Sequence, residues 1–83
     1  MRKYHEAIYV GLIENGKRNG KGVMKYSNDR QYEGDWENDI RNGKGFERYP
    51  NGNQYHGGFK NGKAHGKGVY TWNNGELYDG EWD

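Results

Sequence analysis

The sequence of 83 residues contains no cysteine, a single proline and few aliphatic side chains. The absence of cysteine excludes a disulfide framework, a thiolate zinc site and a cysteine nucleophile. No apolar run approaches the length of a membrane span or of a signal-peptide core, so we expect a cytoplasmic protein. An excess of charge of one sign is also lacking, because 13 basic residues face 12 acidic ones. Bulk charge therefore points neither to nucleic acid nor to a membrane.

The apolar content that is present is mostly aromatic, with eight Tyr, three Trp and two Phe. A low aliphatic content alone would suggest disorder, but disordered chains are poor in aromatic residues. The aromatic side chains therefore predict a folded chain. At this length we expect one small domain at most, and a single rounded core would be hard to build.

A fixed period of 23 residues organises the chain. Each period opens with tyrosine, followed two residues later by glycine and four residues later by a large apolar side chain. These positions are Tyr9, Tyr32, Tyr55 and Tyr78; Gly11, Gly34, Gly57 and Gly80; and Ile13, Trp36, Phe59 and Trp82. Such a period is typical of a repeat array, in which each unit buries its apolar face against its neighbours. We divide the chain into a lead-in with a remnant strand (1–8), three units (9–31, 32–54 and 55–77) and the first strand of an incomplete fourth unit (78–83).

Each unit predicts a β-hairpin. The segment 32–36 alternates large and small residues on one face with acidic residues on the other, which is the period of a half-buried strand. The segment 45–49 is its partner strand, and 37–44 and 50–53 are loops rich in residues that accept positive φ. Asn-Gly, a strong hairpin signal, occurs six times between strand-like runs. Three glycines in every unit exclude a helix. We therefore expect an all-β fold of consecutive hairpins in an extended, twisted single-layer sheet.

The strand glycines predict close packing of aromatic rings along one face. Without a Cβ, Gly34 leaves room for a ring from a neighbouring hairpin to lie against the backbone. We expect the following repeat core: Tyr9, Gly11, Tyr26, Tyr32, Gly34, Trp36, Tyr49, Tyr55, Gly57, Phe59, Trp72, Tyr78, Gly80 and Trp82.

These residues resemble the MORN (membrane occupation and recognition nexus) repeat. The resemblance lies in Tyr-Glu-Gly-Asp-Trp-Glu-Asn of the second unit and in the Asn-Gly-Lys-Ala-His-Gly-Lys-Gly-Val-Tyr-Thr-Trp-Asn-Asn-Gly run of the third, and it covers residues 9–83. It implies a row of hairpins in a grooved single sheet that scaffolds, dimerises or holds partners, as in junctophilins, radial-spoke proteins and plant phosphatidylinositol phosphate kinases. The departures are Asp29 and Asp39 in place of turn glycines, and Ile13 in place of an aromatic residue. We expect the first unit to pack least well.

The sequence offers little catalytic chemistry. Two stretches, 11–18 and 57–64, match a phosphate-binding loop in part, but neither has the Ser or Thr that would bind magnesium, and neither opens a helix. His5, His56 and His65 share no repeat spacing, which favours solvent-facing side chains over a metal site. No nucleophile has a base at a recurring position. We predict no enzyme activity, no cofactor and no metal.

Charged residues follow the repeat in two ways. Glu33, Asp35, Asp79 and Glu81 fall on the face opposite the aromatic residues, as do Lys25 and Arg48 of the partner strands, which favours ion pairing between strands over acid–base work. A second set gathers at the turns that join the two strands of each unit. It forms a basic rim of Lys17, Arg18, Lys21, Arg41, Lys44, Lys63 and Lys67. The rim is either ordinary solubilising charge or a site for anionic lipid or an acidic protein segment.

The sequence thus predicts a non-enzymatic scaffold that mediates protein association. The unpaired edge of strand 78–83 predicts self-association through the chain ends. The alternative is an anionic phospholipid-binding or regulatory module cut from a larger enzyme, such as a phosphatidylinositol phosphate kinase, peripheral to a membrane or the cytoskeleton. Nucleic acid is disfavoured because the aromatic rings are committed to stacking within the chain.

Overall fold

The structure is a computed structural model that describes the backbone of residues 2–4 and 7–82 and the side chains of residues 7–82. The predicted exposure of His5 lies outside the described residues. The strands are β1 Arg2–Tyr4, β2 Ala7–Glu14, β3 Lys17–Tyr26, β4 Gln31–Glu37, β5 Ile40–Arg48, β6 Gln54–Lys60, β7 Lys63–Thr71 and β8 Leu77–Trp82. Within these ranges there is no helix that could cross a membrane.

All eight strands form one open antiparallel sheet in which each strand pairs with its neighbours in sequence order. The predicted all-β, single-layer fold is confirmed. The described part of the molecule measures 39 × 25 × 15 Å, so its thinnest dimension is about that of one sheet with its side chains. Three residues of the lead-in form β1, which pairs Lys3 with Ile8. Because strands meet only their sequence neighbours, the core runs as a stripe across the sheet.

The connection inside each hairpin is a two-residue turn, shorter than the predicted loop over 37–44. Both residues of each turn have positive φ, as in the type I′ turns that match the twist of a hairpin. The pairs are Asn15 (53°) with Gly16 (78°), Asn38 (49°) with Asp39 (71°), and Asn61 (53°) with Gly62 (82°). Asp39 thus adopts the conformation of the glycine that it replaces, and so does Asp29 with φ of 72°. The rest of the predicted loop continues the two strands.

A β-bulge in the second strand of each hairpin, where four residue steps face two on the first strand, accommodates this tight turn. The register shifts between Gly11 and Ile13, between Gly34 and Trp36, and between Gly57 and Phe59. Because the extra residues lie in the second strand, the first strand alternates without interruption, and the large fifth residue of each period lies on the same face as the tyrosine that opens it. Two of the six Asn-Gly pairs are not turns, because Gly20 and Gly43 lie within β3 and β5 with φ of 94° and 112°.

Asparagines at both edges of the sheet tie consecutive hairpins together. The side-chain oxygen of Asn19 accepts a hydrogen bond of 3.0 Å from the backbone N–H of Asn38, and Asn42 accepts one of 3.3 Å from Asn61. On the other edge, Asn53 accepts one of 3.0 Å from the N–H of Asn73. The turns at 38–39, 61–62 and 73–76 therefore dock on the hairpin before them.

Candidate docking surface

One face of the sheet, here called the aromatic face, carries the core. The buried side chains are Tyr9, Met24, Tyr32, Trp36, Glu47, Tyr55 and Phe59. Their rings meet edge to face, as aromatic pairs prefer. Tyr32 lies between Trp36 and Phe59, with ring centroids 5.1 and 5.0 Å apart and planes nearly perpendicular. The same contact joins Tyr55 to Phe59 and Trp82. The stripe of rings is thus continuous from one hairpin to the next.

Each tyrosine of this stripe lies over the glycine of its own hairpin. A Cβ on Gly45 would lie 2.4 Å from the phenol oxygen of Tyr32, so the ring occupies the place of that side chain. The hydroxyl then donates a hydrogen bond of 2.8 Å to the carbonyl of Asp35. This corrects the predicted role of Gly34. A Cβ there would meet the backbone of Gly45 at 2.5 Å, so Gly34 is needed for close approach of two strands rather than for a neighbouring ring.

The remaining predicted core residues are less buried than expected. Tyr26, Tyr49 and Trp82 are half-buried against the stripe. Trp72 is 41% exposed and Tyr78 is 48% exposed, so the expectation that these two belong to the buried core is wrong for the described residues. Gly11, Gly57 and Gly80 lie in β2, β6 and β8, where an added Cβ would collide with backbone or with a tyrosine ring. Ile13 is 39% exposed, whereas Trp36 and Phe59 at the same repeat position are 5% exposed, so the first unit does pack more loosely there.

Sequence reasoning missed a buried charge. Glu47 is 2% exposed and occupies the position that Met24 holds one repeat earlier. Its carboxylate accepts hydrogen bonds from the guanidinium groups of Arg30 at 2.5 Å and Arg41 at 2.9 Å. Burial, together with the Glu47 charge, raises the pKa of Tyr49 to about 12. The only available signal was a carboxylate at a repeat position that is otherwise apolar.

Arg18 and Arg41 of the predicted basic rim are engaged within the protein. The backbone N–H and the Nε atom of Arg18 donate to Asp39, at 2.8 and 2.9 Å, and its guanidinium lies 4.5 Å from the ring centroid of Trp36. These bonds hold the pKa of the Asp39 carboxyl below its usual value. Arg41 bonds Glu47 and the carbonyl of Gly62 and lies over the ring of Phe59. Both arginines cover the aromatic face and stabilise its packing.

The lysines of the rim occupy two other places. Lys17 and Lys63 are exposed beside the short turns. Lys21, Lys44 and Lys67 fall on the other face of the sheet, here called the open face. The ammonium of Lys21 bonds Asp35 at 2.6 Å and lowers the pKa of that carboxyl. The sheet therefore divides the predicted rim among the aromatic face, the turns and the open face.

The open face carries a groove with a volume of about 580 Å³. Its lining residues come from five strands and are Val10, Lys21, Gly22, Val23, Glu33, Gly34, Lys44, Gly45, Phe46 and His56. Val10 is 55% exposed. The rings of Phe46 and His56 stack with centroids 5.8 Å apart and planes inclined at 26°. Strand alternation brings Glu33, Asp35, Asp79 and Glu81 to this face, as the sequence predicted.

The described side chains contain no cluster of the kind that holds a metal ion. Among side chains 7–82, no three His, Asp or Glu residues come together. His56 stacks on Phe46, and His65 is exposed on β7. The surface instead offers apolar area bordered by charged residues, an arrangement that is typical of ligand-binding sites.

A row of similar hairpins, each packing only on its neighbours, defines a β-repeat protein of the solenoid kind. The family model described as "MORN repeat" matches the chain three times, over residues 9–29, 32–54 and 55–76. The chain belongs to the MORN-repeat family, and the predicted resemblance is confirmed. None of the curated proteins compared with the chain matches it.

Proposed function

We propose that this chain is a non-catalytic protein-interaction module, a scaffold that holds a protein partner on its open face. The observation that supports this is that the two faces differ: one carries the buried core and the other carries an open groove. The rings of the buried stripe, such as Tyr32 and Phe59, are engaged in internal packing, whereas Val10, Val23 and Phe46 line an open groove. Apolar groups at the floor of a concave, charge-bordered surface are typical of protein interfaces.

Anionic lipid is the second candidate, because four cations of the open face lack an ion pair among the described residues. They are Lys25, Lys44, Arg48 and Lys67. Against it stand the four carboxylates of the same face, which would be pressed against lipid phosphates. Arg18 and Arg41 also contribute nothing to a lipid site while they bond Asp39 and Glu47. The protein-docking function is therefore favoured.

Site-specific photo-crosslinking in cells tests the proposal. A photoreactive phenylalanine at Phe46 probes the groove, and one at Ile40, an exposed apolar residue at a short turn, serves as the control. We expect a protein product from position 46 that is absent from position 40. That protein, once purified, should bind the unmodified chain and bind Val23→Asp at least about tenfold more weakly.

Two results would reject the proposal. One is that position 46 crosslinks to lipid alone. The other is that the purified candidate binds Val23→Asp as tightly as the unmodified chain while both keep the same thermal unfolding midpoint. Val23 is only half-buried on the open face, so the substitution should leave the aromatic core intact.

A further inference from the structure

The open face presents one side chain from each of seven successive strands in a single line, here called the central row. Strand pairing puts its members opposite one another: Val10, Val23, Glu33, Phe46, His56, Val69 and Asp79. The row runs across the strands, along the direction in which hairpins are added. From β2 to β7 it covers five strand spacings, or about 24 Å. Apolar side chains and the His56 ring make up most of it.

Basic residues border the central row on both sides. Lys21, Lys44 and Lys67 lie two residues away toward the short turns, on a border that also carries Asp35 and Glu81. Lys25 and Arg48 lie two residues away on the opposite side. Since Lys21 and Lys25 share β3 and are four residues apart, the two borders are about 13 Å from each other. A mostly apolar floor thus lies between two borders on which basic residues outnumber acidic ones.

Most of these border cations are available to a partner. Lys21 bonds Asp35 across the strands. Lys25, Lys44, Arg48 and Lys67 take part in none of the four ion pairs among the described residues. Three of these four are lysines, which carry flexible, strongly hydrated charges, so they can follow the side chains of a docked segment.

We propose that the groove binds an amphipathic helix of a partner protein, about 16 residues long, whose apolar stripe is flanked on both sides by acidic residues. This rests on the proposed function. A helix of that length matches the row of about 24 Å, and its diameter of about 10–12 Å fits between borders about 13 Å apart. On a helix, carboxylates next to the stripe project sideways, toward Lys44 on one border and Arg48 on the other.

An extended segment does not fit the same charges. Side chains of a β-strand alternate between two opposite faces, so a segment with its apolar residues on the floor directs the others away from it. Its carboxylates would point to solvent, and neither border would be met. The double border therefore selects a helix over a strand.

Glu33 determines which residue is preferred at the centre of the partner helix. It stands in the central row between Val23 and Phe46 and is exposed. A carboxylate at the floor disfavours a uniformly acidic or apolar contact and favours a basic side chain opposite it. The partner helix should carry one Lys or Arg in the middle of its apolar stripe, which also fixes its register.

The test uses designed peptides and the whole chain. The probe has 16 residues, a leucine stripe at helical spacing, glutamates on both sides and one lysine at the centre. Three matched peptides differ from it by a central proline that breaks the helix, by a scrambled order, or by lysines in place of the glutamates. Fluorescence anisotropy measures their affinity, and phosphatidylserine vesicles are titrated in parallel. We expect the probe to bind at least about tenfold more tightly than each matched peptide.

Charge reversal on the chain tests the borders. The double variant Lys44→Glu, Arg48→Glu removes one cation from each border. It should weaken the affinity for the probe peptide at least about tenfold. Lys17→Glu with Lys63→Glu changes the charge equally at the turns and should change the affinity less than about threefold. Glu33→Lys should weaken the binding of the probe peptide with a central lysine and strengthen the binding of a peptide with a central glutamate.

The outcomes separate the helix from the broader proposal. If the proline peptide binds as tightly as the probe, the occupant is extended rather than helical. The helix inference is then wrong, whereas the proposed interaction module is unaffected. Equal loss in the border and turn variants would overturn the groove as the site. Failure of every peptide, with tight binding to the vesicles at physiological salt, would overturn both this inference and the proposed function.

Discussion

The guanidinium of Arg41 donates a hydrogen bond of 2.9 Å to the carboxylate of Glu47 across the aromatic face. Arg30 donates to the same carboxylate from the other side. The three residues form a charged cluster, in which Glu47 stands between Tyr32 and Tyr55 in a row that is otherwise apolar or aromatic. Buried clusters of this kind depend on all of their members, because any one left alone is a desolvated charge.

Replacing Glu47 with Ala should therefore destabilise the fold by about 2–3 kcal/mol, less than for a fully buried pair, because the two arginines that lose their carboxylate are 36% and 17% exposed. The third unit carries Asn53, Ala64 and Tyr70 at the equivalent positions. A triple variant, Arg30→Asn, Arg41→Ala and Glu47→Tyr, copies that unit and should cost less than the single change. Urea denaturation measures both. A triple variant less stable than Glu47→Ala would show that the arginines stabilise mainly through other contacts.

Trp36→Ala should destabilise far more than Ile13→Ala. Trp36 is buried in the middle unit, packs on Tyr9 and Tyr32, and donates a hydrogen bond of 3.2 Å to the carbonyl of Gly22. Its loss should cost about 3–5 kcal/mol. Ile13 is partly exposed, so its truncation should cost about 1 kcal/mol. Denaturant midpoints decide, and equal losses at the two sites would contradict the stacking described for the middle unit.

Gly45→Ala should destabilise more than Gly75→Ala. The new methyl group at position 45 would lie within 2.4–2.6 Å of the Tyr32 ring, which is held in place by its hydrogen bond to Asp35. We expect a loss of about 3 kcal/mol or more, at the upper end for overpacking. At Gly75 no atom lies within 4 Å, and only the positive φ of 93° opposes a side chain. That change should cost about 1 kcal/mol. Thermal unfolding compares the two, and a larger loss at position 75 would disprove the packing argument.

The repeat and the fold could be predicted because both are determined by residues that are close together in the sequence. The tyrosine period fixes the unit, and the alternation in segment 32–36 fixes which face is buried. Asn15-Gly16 fixes the turn type by requiring positive φ. The close approach of the Tyr32 ring to the backbone of its partner strand is also visible in the sequence, because only glycine fits beneath that ring at position 45. These signals act within one hairpin and its neighbours, which is all that a repeat array needs.

The charged part of the surface could not be predicted in the same way. Whether an arginine turns inward depends on a partner about twenty residues away, as with Arg18 and Asp39. The sequence places Glu47 in a core row but does not show the two arginines that satisfy it. The groove depends on the register across five strands. The bulge in β5 near Gly43 shifts that register, and the sequence marks it only by an Asn-Gly pair, which equally predicts a turn.

Alkaline pH should unfold the protein through its buried phenols. Burial raises the pKa of Tyr32 and Tyr55, and raises that of Tyr49 to about 12. In the unfolded chain these groups titrate near pH 10. Their contribution to stability is therefore complete below about pH 10 and is lost as the pH rises toward about 12. Tyrosinate absorbance and circular dichroism should show part of the tyrosines ionising only with unfolding. Titration of all eight near pH 10 without unfolding would refute this.

The last prediction concerns anionic lipid. If the lysines contact a membrane surface, binding to acidic vesicles should fall steeply between low and physiological salt, because screening shortens the reach of each charge. The variant with Lys17, Lys21, Lys44, Lys63 and Lys67 changed to Ala should lose about 1 kcal/mol per residue near the surface.

We expect micromolar binding at best at low salt and none at physiological salt, for reasons that the structure supplies. Arg18 and Arg41 are bound to Asp39 and Glu47, and the lysines that remain are divided between the turns and the open face. Scattered single charges without an inserted apolar anchor do not hold a protein on a bilayer. Sedimentation with phosphatidylserine vesicles measures the binding, with uncharged vesicles as the control. Tight, salt-resistant binding by the unmodified chain would reverse the order of the two functions and place the lipid first.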